Sequence, residues 1–498
     1  MIACMNRREI KEVVNQMLSQ GFQLRPEALL ILEDIQDTID VSKVLNQVIN
    51  FKLHLDENDF LITDKDFTRF LPLSDVHLER DGERSQVPVK RVNPEFEVLQ
   101  DPTENISPLN ASEGFQTLFA SRYKKLLRVL MQRPDSHQIQ KISSLDKGRP
   151  NTIFKVAGLV SNREMRRKQI ELTIDDDTDS ITVFGLNDEI RKSVSGVLTD
   201  QMVVVDLVFS KRGTPIAKSI YPPDIPDRKA NMSKEEVYAL LLSDIHVGSK
   251  YFLQGAFDKM VKWVSDRSDG TSIASKVMYI VMAGDLVDGI GVYPGQNNEL
   301  EIKSVVEQYG VLAKLLRQFP KEVRIIIVPG DHDSTRKALP QPAVPIKHGA
   351  ALYEIENVSV LGNPSFVSLH GVHILVYHGR SLYDVIASTP GLSVSDPTSA
   401  MKVLLRGRHL APMYGSRSPL SPEPEDTLVI EQVPDVFHTG HLHTIGGEYY
   451  RGTLMVNSGC WQAQTKFQEN VGITPIPAVV PIINLATLDI QFKDFRLQ

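Results

Sequence analysis

Between residue 237 and the C-terminus, apolar runs of strand length end again and again in an aspartate or a histidine. Residues 237–242 lead into Ser243-Asp244-Ile245-His246, 277–282 into Gly284-Asp285-Leu286-Val287-Asp288, and 323–328 into Gly330-Asp331-His332-Asp333. The run 372–377 leads into His378-Gly379, and 436–438 into Gly440-His441-Leu442-His443. Helical patterns fall between several of these runs, at 256–264 and 301–319 among others. Such alternation specifies an α/β fold, a sheet flanked by helices. In open α/β sheets the carboxyl ends of the strands share one rim, and ligands bind there. Five sets of polar side chains are therefore expected at one edge.

Carboxylate and imidazole groups together suit divalent metals such as Mn²⁺, Fe²⁺ or Zn²⁺. Asp244 and His246 stand two apart, and in extended chain such residues project to the same side; the same holds for His441 and His443. Gly284, Gly330 and Gly440 allow tight turns and close backbone approach. Carboxylates gathered this way, Asp331 near Asp285 among them, repel one another, and two divalent cations remove the conflict. Taken singly the pieces say little: Asp288 and Asp333 read equally well as turn residues or helix caps. Five of the thirteen histidines, however, fall at these strand ends in one order, which coincidental caps and turns do not explain.

A length of 498 residues suggests about three domains. The net charge of −7, from 55 Lys+Arg against 62 Asp+Glu, excludes a histone-like electrostatic binder and leaves room for a local basic groove. Cys4 and Cys460 form neither a metal-ligand spacing nor a disulfide framework. No run approaches 18 apolar residues, and MIACMNRREIKEVV has no signal-peptide core. The expectation is a soluble cytoplasmic protein with no membrane partner.

Residues 1–72 read as a helical module, with amphipathic patterns at 7–20, 26–35 and 42–49. Residues 73–112 read as a linker or exposed extension. Residues 113–225 hold a packing helix at 115–131 and five short strands, the pattern of a small OB-type β-barrel. The aromatics there, Phe154, Phe184, Phe209 and Tyr221, lie in or beside apolar runs and read as core, which favours a docking scaffold over a nucleic-acid reader. Residues 236–498 carry the constellation. Within them, Arg380 is a candidate for a phosphate contact. Lys402, Arg406, Arg408 and His409 are either a solvated face or a guide for a strand. Trp461 belongs to the core or to a partner contact, His438 packs behind the ligands, and His348 and His370 read as structural.

The ordered set D-x-H, G-D-x-x-D, G-x-H-D, H-G and G-H-x-H resembles the calcineurin-like metallophosphoesterase superfamily. That resemblance implies a two-layered β-sandwich flanked by helices around a dinuclear metal centre. With a barrel in front, the chain is similar to the B-subunits of replicative DNA polymerases. Residues 404–430 and 472–485 resemble the small subunit of archaeal family D DNA polymerases. Eukaryotic B-subunits have largely lost the ligands, whereas here every position is filled, which implies the nuclease-competent form.

By the same resemblance, Asp244, His246, Asp285 and His443 would hold one metal. Asp285, Asp331, His378 and His441 would hold the other, with Asp285 bridging. The cofactor would be two divalent ions, Mn²⁺ first, with Mg²⁺, Fe²⁺ or Zn²⁺ as alternatives. His332 matches the catalytic histidine and Asp288 the aspartate that orients it. Asp331 replaces the usual Asn, and an extra anionic ligand would tighten the second metal and reduce its Lewis acidity. The implied function is 3′→5′ proofreading exonuclease action on DNA alongside a large polymerising subunit, in an archaeal cytoplasm at the nucleoid. A non-catalytic scaffold subunit and a stand-alone repair nuclease or phosphoesterase are the alternatives. Arg380, Arg406 and Arg408 are the candidate substrate contacts.

Overall fold

The apolar runs are strands buried on both faces, and alternate residues feed two different cores. Leu240, Leu242, Ile280, Met282, Ile325 and Ile327 pack toward helices. Their neighbours Ala239, Leu241, Tyr279, Val281, Ile326 and Val328 pack inside a sandwich of two sheets. This is the period-two geometry of a strand with no polar face. The computed structural model describes residues 93–498, apart from 148, 150, 167, 168, 269, 471, 497 and 498, together with 23–24 and 61–62.

The chain divides into two units, Met1–Val89 and Lys90–Gln498. In the first, Gln23–Leu24 pairs in parallel with Leu61–Ile62. The helices expected over 7–20, 26–35 and 42–49 lie outside the described residues.

The second unit opens with β1 (Phe96–Gln100), α1 (Ala111–Leu130) and β2 (Ile139–Gln140). The barrel follows as β3 (Ile153–Met165), β4 (Ile170–Asp175), β5 (Ser180–Gly185), α2 (Asp188–Ser195), β6 (Met202–Phe209) and β7 (Pro215–Tyr221). Its strands run in the order β2-β3-β4-β5-β7-β6, and β3 pairs with β6 to close the cylinder. Phe154 and Phe209 are buried and meet edge to face at 5.6 Å, while Phe184 and Tyr221 are half-buried.

The sandwich begins with β8 (Tyr238–Leu242), α3 (Gln254–Ser265), β9 (Val277–Ala283), α4 (Val305–Leu316) and β10 (Arg324–Val328). It continues with α5 (Ile346–Tyr353), β11 (Val358–Val360), β12 (Ser365–Leu369), β13 (Val372–Val376), α6 (Leu382–Ser388) and α7 (Pro397–Gly407). The last strands are β14 (Val436–Thr439), β15 (Gly446–Tyr450), β16 (Thr453–Asn457), β17 (Val479–Asn484) and β18 (Ile490–Asp494). One sheet has the order β11-β10-β9-β8-β17-β18 and the other β15-β16-β14-β13-β12-β1. Strands β8, β9 and β10 are mutually parallel, as are β13 and β14. The expected mixed α/β architecture is present: a helix-flanked sandwich of two sheets, preceded by a small closed barrel.

One expectation is corrected. Part of segment 73–112, read as linker or extension, is the edge strand β1, antiparallel to β12. Its sequence FEVLQ is mostly exposed and alternates only over Phe96-Glu97-Val98, too short a pattern to mark a strand. Among the described residues no helix is long and apolar enough to cross a membrane.

Candidate metal centre

Each expected ligand stands just beyond the carboxyl end of a strand, β8, β9, β10, β13 or β14, and the loops there turn abruptly. Asp244 and His246 both have φ of 53°, Asp285 51°, His441 69° and His443 57°. Left-handed backbone costs on the order of 1–3 kcal/mol at each non-glycine residue and persists where the surroundings impose it. The pairs Asp244/His246 and His441/His443 thus converge through left-handed turns, not through the side-sharing of extended chain expected from their spacing. Close approach demands glycine here. A Cβ on Gly330 would lie 2.4 Å from both the amide nitrogen and Oδ1 of Asp285.

Three groups of side chains have one candidate ligand atom from each residue within 4.8 Å of the others: Asp244–His246–His443 and Asp285–His378–His441, which hold expected ligands, and His246–Asp288–His332, which shares His246 with the first. In the first, the Nε2 atoms of His246 and His443 stand 3.2 Å apart, and His443 Nε2 is 3.3 Å from Asp244 Oδ1. In the second, His441 Nδ1 is 3.2 Å from His378 Nε2. Asp285 lies between them: Oδ1 is 3.4 Å from His378 Nε2 and Oδ2 is 3.9 Å from His246 Nε2. Asp244 Oδ1 is buried with no hydrogen-bond partner. A buried carboxylate oxygen without a donor, beside imidazole nitrogens that face one another, is a donor set suited to divalent cations. The residues therefore fit divalent cations, and Asp285 lies between the first two groups.

The ring orientations support this. His378 donates from Nδ1 to the Ala283 carbonyl at 2.8 Å, which leaves Nε2 facing the centre. His246 donates from Nδ1 to Asp288 Oδ1 at 3.0 Å. The Asp288 carboxylate also accepts from Gln296 Nε2 at 3.1 Å and Gln462 Nε2 at 3.2 Å. His332 donates from Nδ1 to the main-chain carbonyl of Asp288 at 2.8 Å, while the Asp288 carboxylate lies 3.9 Å away. Asp288 accordingly holds His332 through its backbone and His246 through its side chain. Gln468 Nε2 stands 2.8 Å from His443 Nδ1. These glutamines escaped the reading of the sequence, because no spacing marks them. Asp333, read as a turn residue or cap, is buried instead, and its carboxylate accepts from Tyr309 Oη at 2.8 Å and from the amides of Gly330 at 2.8 Å and Leu286 at 3.1 Å.

Burial sets much of the electrostatics. It would raise Asp285, yet His378, His332 and His246 hold that carboxyl well below its ordinary range. Burial lowers His332, brings His441 down to about 4 and, with Asp285 nearby, raises Asp333 to about 6.

The centre opens into a cleft of about 360 Å³ whose lining includes His246, Asp285, Asp331, His332, His441 and His443. Asp331 sits at its rim, bound by Arg380 Nη1 at 2.8 Å, and its Oδ2 is 3.7 Å from His441 Nδ1. Arg380 is thus part of the wall. Arg406 and Arg408, the other candidate substrate contacts, are outside it. Arg406 pairs with Asp224 at 3.5 Å. Arg408 is buried, ends α7 at a φ of 56° and donates to the Glu431 carbonyl at 2.6 Å. Lys402 pairs with Glu448 and His409 with Asp426, so each member of the basic cluster has a partner within the chain. Trp461 is core, and His438 packs behind the centre on Ser458 Oγ at 2.7 Å.

Residues 239–445 match the family model that describes the B-subunits of DNA polymerases alpha and epsilon. A DNA polymerase II small subunit from Archaeoglobus fulgidus is 40% identical over 408 residues, covering 81% of each chain. One from Methanothermobacter thermautotrophicus is 35% identical over 483 residues, covering 95% of this chain and 98% of its own. One from Pyrococcus furiosus is 41% identical over 381 residues, covering 75% of this chain; the match spans 62% of that relative's length. Among solved structures, one described as a novel archaeal phosphodiesterase aligns over 52% of this chain and 99% of its own at 14% identity, with a TM-score of 0.27. The similarity runs through barrel and sandwich alike, and the chain belongs to the family of DNA polymerase II small subunits.

Proposed function

We propose that this chain is a metal-dependent phosphodiesterase that removes nucleotides from the 3′ end of DNA, as the small subunit of a replicative polymerase whose large subunit carries out synthesis. The observation that carries the reading is the pair of ligand groups joined by Asp285, with the partnerless Asp244 Oδ1 beside them. When bound, divalent ions at these groups (Mn²⁺ first, then Mg²⁺, Fe²⁺ or Zn²⁺) supply Lewis acidity toward a phosphate oxygen and lower the pKa of an attacking water.

The protein's own part is positional. Asp288, Gln296, Gln462 and Gln468 fix the imidazoles of His246 and His443, and Arg380 stands ready for a non-bridging phosphate oxygen. With Nδ1 tied to the Asp288 carbonyl, His332 presents Nε2 to the cleft. Water oxygen bonds to phosphorus as the bond from phosphorus to the 3′ oxygen breaks. Protonated His332 Nε2 gives its proton to that departing oxygen, and the proton of the water passes to solvent.

The test pairs metal analysis with digestion of 3′-mismatched DNA in Mn²⁺. His332→Ala should keep its metal and lose about 10²–10⁴-fold in rate, the usual worth of a positioned proton donor. Normal digestion by that variant would remove His332 from the mechanism. The Arg380–Asp331 pair favours a second reading, a scaffold without activity, because it engages groups at the mouth of the centre. A wild-type chain that binds metal and leaves DNA intact would establish that reading instead.

A further inference from the structure

The cleft at the metal centre does not end there. It shares Val292, His332 and Lys337 with a second cavity of about 580 Å³. His332 is therefore a wall common to both. The second cavity is lined by Lys337, Lys347 and His348 and by the apolar side chains of Ile290 and Val292. Lys337 and Lys347 are exposed, and among the described residues neither has an ion-pair partner. The Lys337 ammonium donates to the main-chain carbonyl of Asp331. His348 Nδ1 lies 2.5 Å from Ser334 Oγ. Ile290 is 49% exposed, and Ile346, beside Lys347, is 65% exposed. The carboxylate in the lining, Asp333, spends both oxygens on Tyr309, Gly330 and Leu286, so no free anion opposes the lysines there.

Cations beside exposed apolar side chains match a nucleic acid single strand, which carries one charge per phosphate and one flat face per base. We propose that this second cavity is the track for the nucleotides on the 5′ side of the scissile phosphate, while the 3′-terminal nucleotide occupies the first cleft. Lys337, Lys347 and His348 meet the phosphates, and Ile290 and Val292 meet the bases. The direction of the strand rests on the function proposed above. If His332 protonates the 3′ oxygen of the preceding nucleotide, that nucleotide lies on the far side of His332, where the second cavity begins. Electrostatic binding in the track does not depend on catalysis.

The experiment uses the full chain in EDTA, where no hydrolysis runs, and fluorescein-labelled single-stranded deoxyoligonucleotides of two to eight nucleotides. Affinity should rise with length over the first four to six nucleotides or so. Lys347→Glu should bind the octamer roughly five- to tenfold more weakly and reduce the salt slope by about 0.7, one phosphate contact on a single strand. Lys218→Glu, on β7 of the barrel, serves as the control and should change neither. Unchanged octamer binding by Lys347→Glu would overturn the track. Direction is read by Lys347→Cys in a Cys4→Ser background, offered octamers with a thiol tether near one end or the other. Disulfide capture should favour the tether three or so nucleotides from the 3′ end, and capture favouring the 5′ end would reverse the assignment. A length effect in a chain that fails to digest DNA would sink the nuclease reading alone. Digestion without a length effect would sink the track alone.

Discussion

Asp244 shows how closely a single residue is bound into this centre. One carboxylate oxygen accepts the His441 amide at 2.8 Å, and the other is buried without a donor. Replacing it with alanine should remove about one divalent ion per chain, measured by metal analysis after dialysis; full metal content would contradict the assigned ligand set. Gly330→Ala should have a similar effect from the other side. Its new Cβ would press on Asp285 Oδ1 at 2.4 Å, displacing the residue that lies between the two ligand groups. Asp333 is of another kind, since its task is to pin the loops after β9 and β10 to Tyr309 on α4. Asp333→Ala strands three buried donors and should cost about 3 kcal/mol or more in denaturant unfolding.

At the scale of elements, α1 is tied to the sandwich by one buried charge. Arg122, with no exposed surface, donates from Nε to Asp426 Oδ2 at 2.8 Å and from Nη1 to the Pro412 carbonyl at 2.6 Å. His409 Nε2 reaches the same Asp426 oxygen at 2.9 Å. Removing one partner of a buried pair leaves the other uncompensated, so Arg122→Leu should cost about 3–5 kcal/mol. A loss below about 1 kcal/mol in denaturant unfolding would mean that the pair contributes little. The amphipathic stripe of α1 was legible in the sequence. Arg122 was not, because its partners lie some 300 positions away and no local pattern announces a buried arginine. Strand β1 is similar: it pairs with β12 through backbone groups, which leave no mark on residue type.

For the whole molecule, acid should be the more damaging side of neutrality. Burial lowers His370 and His409, and brings His438 down to about 3. A histidine depressed in the folded state stabilises fully above its unfolded value of about 6.5, and that stability is lost as pH falls toward the folded value. For His438 the window runs from about 6.5 down to about 3, at roughly 1.4 kcal/mol per pH unit while only the unfolded form takes up the proton. His378, raised to about 10, and His443 work the opposite way, but a bound metal keeps both imidazoles unprotonated. The Tm of the metal-loaded chain should therefore fall between pH 7.5 and 5.5, and a rise would refute the sign. Metal acts on the same scale. Mn²⁺ at a hundred times its Kd should add about 2.7 kcal/mol per site, seen as a higher Tm that EDTA reverses.

The order of strand-end motifs was enough by itself to specify a helix-flanked sheet fold and to nominate the ligands, because strand period and residue chemistry are local properties. Which groups meet was decided by tertiary structure. Left-handed turns, rather than extended spacing, converge Asp244 with His246 and His441 with His443. Folding buried Arg408 in internal contacts and left Arg406 exposed outside the cleft beside Asp224, and it recruited Gln462 from distant chain. Local pattern records what a residue can do; only the packing of remote segments determines what remains within its reach.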